Sequence, residues 1–327
     1  MLETNCREVK ASRPRRGLRA SRRSALLPRS VIRAVVTDLD NTLYSWVNYI
    51  VPALEAMVAS LCQTTGFPRI RVVQSLKEVY ERVGTNDYSF AIQESTIFRE
   101  FNSDFDSFQA LIIQPAKDAF ASARRKYLQP YPGAIEGLRA LAALGVRVVG
   151  LTDAPRNSAE ARVRGLSLDD HLEAVYTLPG YPLPEAVDER IRQREQEGRY
   201  RSRIPVVELL AEHEKPDPRG LFRVLADLQV APEEVLVVGD NRNKDGGMAR
   251  AAGCRWAWAE YGTYLSLEYR ERLDTISARS ATRRHISSDE PGKVLPDPDY
   301  VLSNFAQVAG IVQGLNAAES LGVQQAG

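Results

Sequence analysis

The chain has 327 residues, 44 % of them hydrophobic and 26 % charged, with a formal net charge of +1. That balance excludes a fibrous or disordered chain and gives no reason to expect a nucleic-acid partner. Three scattered cysteines (Cys6, Cys62 and Cys254) exclude a disulfide framework and a cysteine zinc site, and no apolar run reaches membrane-spanning length.

Residues 1–30 hold nine Lys/Arg and two Glu, a net of +7, leaving about −6 for residues 31–327. The stretch nearly lacks an apolar face and reads as a disordered basic tail. Glu3 and Glu8 speak against a transit peptide, and no aromatic residues interleave the basic ones to stack on bases.

Val31–Trp46 (VIRAVVTDLDNTLYSW) is the stretch around which the chain is organised. Its β-branched, uncharged run suits a strand buried on both faces. It ends in Asp38 and Asp40, where strand gives way to loop. Both carboxylates can turn there toward one point at the carboxyl end of a sheet. Two close carboxylates repel, so they recruit a cation or share a proton. Taken alone, the motif also fits a plain Asp-Asn turn.

Residues 46–129 read as a helical module. Val51, Leu54, Met57, Val58 and Leu61 recur at helical spacing, as do Val72, Leu76, Val79, Tyr80 and Val83. Phe105, Phe108 and Ile112 line another face, and Pro115 can open a further helix. Between them Gly84–Gln93 is polar and irregular, and is expected to be a connector rather than a substrate-facing loop.

Pro130–Gly133 breaks the module. Ala134–Leu144 is an amphipathic helix closed by Gly145, and Val146–Leu151 a second apolar strand. Asp153 is expected as the N-cap of the next helix, with Pro155 in its first turn. Thr152 then sits at a strand end beside a helix N-terminus able to hold an anion. Ala174–Leu178 is a third strand. An insertion follows over about 179–203, and residues 185–203 carry six Arg and five acids. Ile204–Leu210 is strand or helix.

Two prolines rigidify the turn around Lys215, and Asp217 with Pro218 starts a helix to about Leu228. Val235–Gly239 is a fourth strand, ending in Asp240 with Asp245 close behind. Trp256–Ala259 and Tyr300–Leu302 are further short strands. Residues 261–297 carry no assignable pattern. A helix from Phe305 to about Leu315 precedes a frayed tail over 317–327.

Strands alternating with helices predict an α/β fold, a Rossmann-like parallel sheet flanked by helices. Residues 31–45 and 130–316 are expected to form that core, with the helical module of 46–129 inserted between its first two strands. Parallel strands bring Asp38/Asp40, Thr152, Lys215 and Asp240/Asp245 to one edge. Carboxylates, a hydroxyl and an ammonium together suit Mg²⁺ and a phosphate. No Cys or His accompanies them, so zinc is not expected.

In this order DLDNT, LTDA, EKPDP and VVGDNRNKDGGMARAAG resemble the haloacid dehalogenase-like (HAD) hydrolase superfamily, over roughly residues 31–260. The resemblance implies that Asp38 is a nucleophile forming an aspartyl-phosphate and that Asp40 is the general acid and then base. It implies that Thr152 and Lys215, with Asp153 and Asn41, bind phosphate. It implies that Mg²⁺ is held by Asp38, the Asp40 carbonyl and Asp240, with Asp245 behind them, and that the inserted module of 46–129 is a helical cap over the site. A halide leaving group needs no proton whereas an alkoxide does, so Asp40 favours a phosphatase over a dehalogenase. The expected substrate is a small phosphate monoester, in a cytoplasmic setting. A phosphomutase on the same scaffold and a non-catalytic binder using the basic tail are the alternatives. The long gap between Thr152 and Lys215 departs from compact members.

Overall fold

The apolar run at the head of the core forms β1, Ala34–Thr37, and every residue in it is buried. Alternation divides its side chains between two cores. Val35 joins one apolar cluster, whereas Ala34 and Val36 join the other. A strand covered on both faces belongs in the middle of a sheet, and β1 lies there. The other strands are β2 (Arg147–Pro155), β3 (Val175–Leu178), β4 (Val206–Glu208), β5 (Val235–Gly239), β6 (Arg255–Trp258) and β7 (Tyr300–Val301). In this computed structural model, which describes residues 31–97, 105–181, 201–277 and 295–325, they form one sheet of order β4-β3-β2-β1-β5-β6-β7. All pairings are parallel.

The chain steps outward from β1 to β4, returns to β5 on the other side of β1, and steps outward again. In register, Thr37 faces Gly150 of β2 and Val238 of β5. The reversal therefore opens a crevice past the carboxyl end of β1, where open α/β sheets bind ligands.

The helices are α1 (Trp46–Thr65), α2 (Arg69–Val83), α3 (Ala91–Glu94), α4 (Phe105–Phe108), α5 (Gln114–Tyr127), α6 (Ala134–Ala143), α7 (Arg156–Gly165), α8 (Arg219–Leu228), α9 (Gly247–Ala252), α10 (Leu267–Ile276) and α11 (Gln307–Gln325). A π-helical turn, Gln109–Ile113, joins α4 to α5. Leu138 and Leu141 of α6 and Val308 and Val312 of α11 cover one face of the sheet. Leu221, Val224 and Leu225 of α8 and Met248 of α9 cover the other.

The helices between residues 46 and 127 build the cap. Ser45 starts α1 by accepting a hydrogen bond from the Asn48 N–H, and Gly66, at φ 72°, ends it. The cap has a further wall: α10 packs on α1 and α2. Arg272 forks onto Glu55 at 3.1 and 2.6 Å, and Lys77 Nζ donates to the Asp274 carbonyl at 2.8 Å. Part of the unassigned 261–297 stretch thus buttresses the cap.

Three local expectations shift. β2 continues through Pro155, which occupies the N-cap position of α7, so Asp153 does not cap that helix. A residue before proline avoids the helical region, which keeps Ala154 extended. Pro218, not Asp217, is the N-cap residue of α8, although the Asp217 carboxylate still accepts the Arg219 N–H at 2.9 Å. The C-terminal stretch expected to fray from residue 317 is helical through Gln325, in a proline-free, alanine- and glutamine-containing sequence. The basic tail, 182–200 of the charged insertion and 278–294 lie outside the described residues.

Candidate active site

The site residues gather at the carboxyl edge of the sheet: Asp38, Asp40 and Asp240 just follow β1 and β5, Thr152 and Asp153 lie in the last residues of β2, and Lys215 sits on the segment between β4 and α8. The Asp38 N–H extends the β1–β5 ladder by bonding the Val238 carbonyl at 2.8 Å, which fixes where the Asp38 side chain leaves the sheet. The chain then turns sharply. Asn41 adopts φ 58°, a left-handed conformation that asparagine tolerates, and its carboxamide oxygen accepts the Trp46 N–H at 3.0 Å. Gly262 presses against this turn so closely that a Cβ there would lie 1.7 Å from the Asn41 carbonyl oxygen. Tyr261 adds a hydrogen bond from its hydroxyl to the Thr42 carbonyl at 2.6 Å.

Lys215 arrives from the segment before α8, through a cis Lys215–Pro216 peptide. Its backbone N–H donates to Asp153 Oδ1 at 3.0 Å. Its ammonium donates to Asp38 Oδ1 at 2.6 Å and to Asp245 Oδ1 at 2.7 Å. Asp245 is set by the end of β5: its other oxygen accepts the Asn241 N–H at 3.0 Å. Gly239 makes room for it, since a Cβ there would lie 2.2 Å from the Asp245 carboxyl carbon. Asp240 follows directly, its carbonyl held by the Trp258 indole N–H at 2.8 Å.

The structure brings all the sequence-predicted site residues to one cleft: Asp38, Asp40, Asn41, Thr152, Asp153, Lys215, Asp240 and Asp245. Thr152 and Asp153 also have partners of their own. The Thr152 hydroxyl accepts the Ala154 N–H at 3.1 Å. Asp153 spends its carboxylate on the Lys215 N–H and on Lys244 Nζ at 2.8 Å, so that carboxylate orients two lysines and offers no donor to an anion.

Oxygen atoms of Asp38, Asp240 and Asp245 all lie within 4.8 Å of one another. Burial raises the Asp38 carboxyl to about 7; Lys215 opposes that shift, while Asp245 and Asp40 add to it. Burial also pushes Asp240 well above the usual carboxylate range, reinforced by Asp245 and Asp38. Burial alone would lower Lys215, but Asp245 and Asp38 outweigh it and raise the ammonium. One buried ammonium therefore does not balance the carboxylates around it. A hard, oxygen-only donor set short of positive charge fits Mg²⁺.

Sequence reasoning missed a second layer. Asp40 Oδ1 accepts a hydrogen bond from Arg162 of α7 at 3.1 Å. Arg162 also reaches Tyr49 of α1 and Asp87 of the 84–93 segment. That segment is more than a connector: Asp87 and Tyr88 line a cavity of about 240 Å³ under the cap, with Tyr49, Tyr80, Phe120, Lys117 and Arg124. Lys244 was also missed, although it lies within the quoted fourth motif.

A family model for haloacid dehalogenase-like hydrolase matches residues 32–253. The chain belongs to that family. A phosphoglycolate phosphatase of Thiobacillus denitrificans is 29 % identical over 238 residues, covering 71 % of this chain and 84 % of the relative. Phosphoglycolate phosphatase 1 of Pseudomonas aeruginosa is 25 % identical over 271 residues, covering 81 % and 83 %. The fold is that of the 2-haloacid dehalogenase from Pseudomonas syringae pv. Tomato DC3000, with a TM-score of 0.52 at 20 % identity, over 87 % of this chain and 99 % of that one. This HAD-family protein is of the phosphatase type, as its relatives by name and the second carboxylate of its first motif, Asp40, agree. No helix among the described residues is long and apolar enough to cross a membrane.

Proposed function

We propose that this HAD-family phosphatase hydrolyses a small phosphate monoester through an aspartyl-phosphate on Asp38. The observation that carries the reading is the contact of Asp38 with Lys215 at 2.6 Å, beside Asp40 in the same cleft. Lys215 holds one Asp38 oxygen, while Thr42 Oγ1 stands 3.4 Å from the other. A carboxylate oriented in this way can form a bond to phosphorus as the ester P–O bond breaks. Asp40 gives its proton to the departing alkoxide. As a carboxylate it then takes a proton from the water that attacks phosphorus and releases phosphate. Lys215 and Thr152, with the turn at Asn41, would hold the non-bridging oxygens. Asp38, Asp240 and the Asp40 carbonyl would hold Mg²⁺, with Asp245 supporting them. An ion held there would offset the negative charge that the phosphoryl group brings.

The alcohol half of the substrate would lie toward the cap cavity. The names of the relatives make phosphoglycolate the first compound to test. Phosphate release from a panel of phosphomonoesters, with Mg²⁺ and after chelation, tests the reading. Mg²⁺ should restore the chelated enzyme better than Ca²⁺, which takes more ligands at longer distances and would draw both Asp38 oxygens onto the metal. Equal rates with the two ions contradict the proposed metal role.

A further inference from the structure

Arg162 is 1 % exposed, although it lies on a helix whose sequence, RNSAEARVRG, reads as a charged surface helix. A guanidinium so buried persists only where its donors meet acceptors. Nη1 donates to Asp40 Oδ1 at 3.1 Å and to the Tyr49 hydroxyl at 2.8 Å. Nη2 donates to Asp87 Oδ2 at 3.0 Å, and Nε to the Ser158 carbonyl at 3.1 Å. These acceptors belong to different parts of the molecule. Ser158 is on the same core helix, Asp40 is on the loop after β1, and Tyr49 and Asp87 belong to the cap.

We propose that Arg162 is a positioning residue that holds one oxygen of Asp40, so that the other serves the leaving group, and that Tyr49 and Asp87 of the cap fix Arg162 for that task. The proposal rests on the acid/base reading of Asp40. It makes the orientation of Asp40 depend on the seating of the cap. A cap displaced at Tyr49 and Asp87 leaves the guanidinium with Asp40 and Ser158 alone, free to pivot about its own helix. Direct binding of a substrate anion by Arg162 is disfavoured by the same geometry, because both Nη atoms and Nε are already engaged.

The test compares an alkyl phosphomonoester with p-nitrophenyl phosphate, whose leaving group departs without a proton. Arg162→Lys keeps the charge but loses the planar fork. It should lower kcat for the alkyl ester by about 10²-fold, the usual scale for a misplaced group, and change KM little. Release of nitrophenol in the first turnover should slow far less. Tyr49→Phe and Asp87→Asn, which each weaken one cap contact of Arg162 and leave its hydrogen bond to Asp40 in place, should each give a milder form of the same leaving-group dependence. In an Asp40→Asn background, Arg162→Lys should add nothing to that dependence. Equal slowing of both substrates in these variants, while Asp40→Asn alone still separates them, overturns the role of Arg162 and leaves the phosphatase reading intact. If Asp40→Asn does not separate the substrates, the reading of Asp40 fails and this proposal with it. Should Arg162→Lys lose its melting transition, Tyr49→Phe decides.

Discussion

At the scale of single residues, Lys215 is shared between Asp38 and Asp245 and is almost fully buried. Removing it leaves two buried carboxylates without their common partner, a change that usually costs about 3–5 kcal/mol. Lys215→Met should therefore lower stability by that order in metal-free urea unfolding. It should also slow alkyl and aryl phosphates by a similar factor, because its charge acts on the transferring group whatever the leaving group is. A slowing confined to alkyl esters would contradict this role. Gly239 is a second test. Its missing side chain is what lets Asp245 lie against the end of β5, so Gly239→Ala should displace that carboxylate and weaken Mg²⁺ dependence more than it lowers the melting temperature. Unchanged Mg²⁺ titration would show that Asp245 has no part in holding the ion. The residues that meet here were legible because each ends an apolar strand or sits on a proline-stiffened turn. Arg162 was not. Its partners Asp40 and Asp87 lie 122 and 75 positions away, and helical periodicity does not reveal that an arginine among charged neighbours is the buried one.

At the scale of elements, β1, β2, β3 and β5 could be read from apolar runs rich in β-branched residues, with ends displaced by a few residues, whereas Ile204–Leu210, open between strand and helix, holds β4. The helix starts were harder where prolines were involved. Pro155 and Pro218 each stand one position outside the helix expected to contain them. α10 was not visible at all, because most of what fixes it is remote: Glu55 and Lys77 of the cap hold Arg272 and Asp274. The 84–93 segment looked like a connector because polarity alone does not tell a loop facing water from one facing a cavity. Just ahead of β4, Arg203 bonds both oxygens of Asp169 at 2.8 and 3.0 Å. Those hydrogen bonds hold Asp169 down to about 2 from an ordinary 3.8. Its contribution to stability is complete above 3.8 and is lost as pH falls toward 2. Asp169→Asn should flatten the acid limb of the stability profile in that window, measured by denaturant unfolding at each pH. The effect should be modest, because Arg203 is half exposed. An unaltered acid limb would show that the pair does not survive in solution.

At the scale of the whole molecule, the sheet order places the reversal at β1, and the site lies there. The order could be anticipated only in outline, since strand neighbours are set by packing and not by local sequence. The C-terminal helix shows the difference. Asn316 on α11 accepts the Ile32 N–H at 2.7 Å and donates to the Ile32 carbonyl at 3.1 Å, just before β1, where the sequence suggested a helix already ending. Val308 and Val312 on the same helix are fully buried in the core. Truncation before residue 307 should therefore destabilise the core by several kcal/mol, at about 1.5–3 kcal/mol for each buried apolar side chain lost. Thermal unfolding of the truncated chain measures it. An unchanged transition would mean that α11 is not part of the folding unit.

The central claim is that Asp38 carries the phosphoryl group during turnover. Borohydride added while the enzyme turns over a phosphomonoester reduces an aspartyl-phosphate to homoserine, and peptide mass spectrometry then locates it. The mechanism predicts homoserine at position 38, dependent on Mg²⁺ and substrate and absent in Asp38→Asn. Steady phosphate release with position 38 remaining unmodified aspartate, or homoserine at another carboxylate, would contradict it.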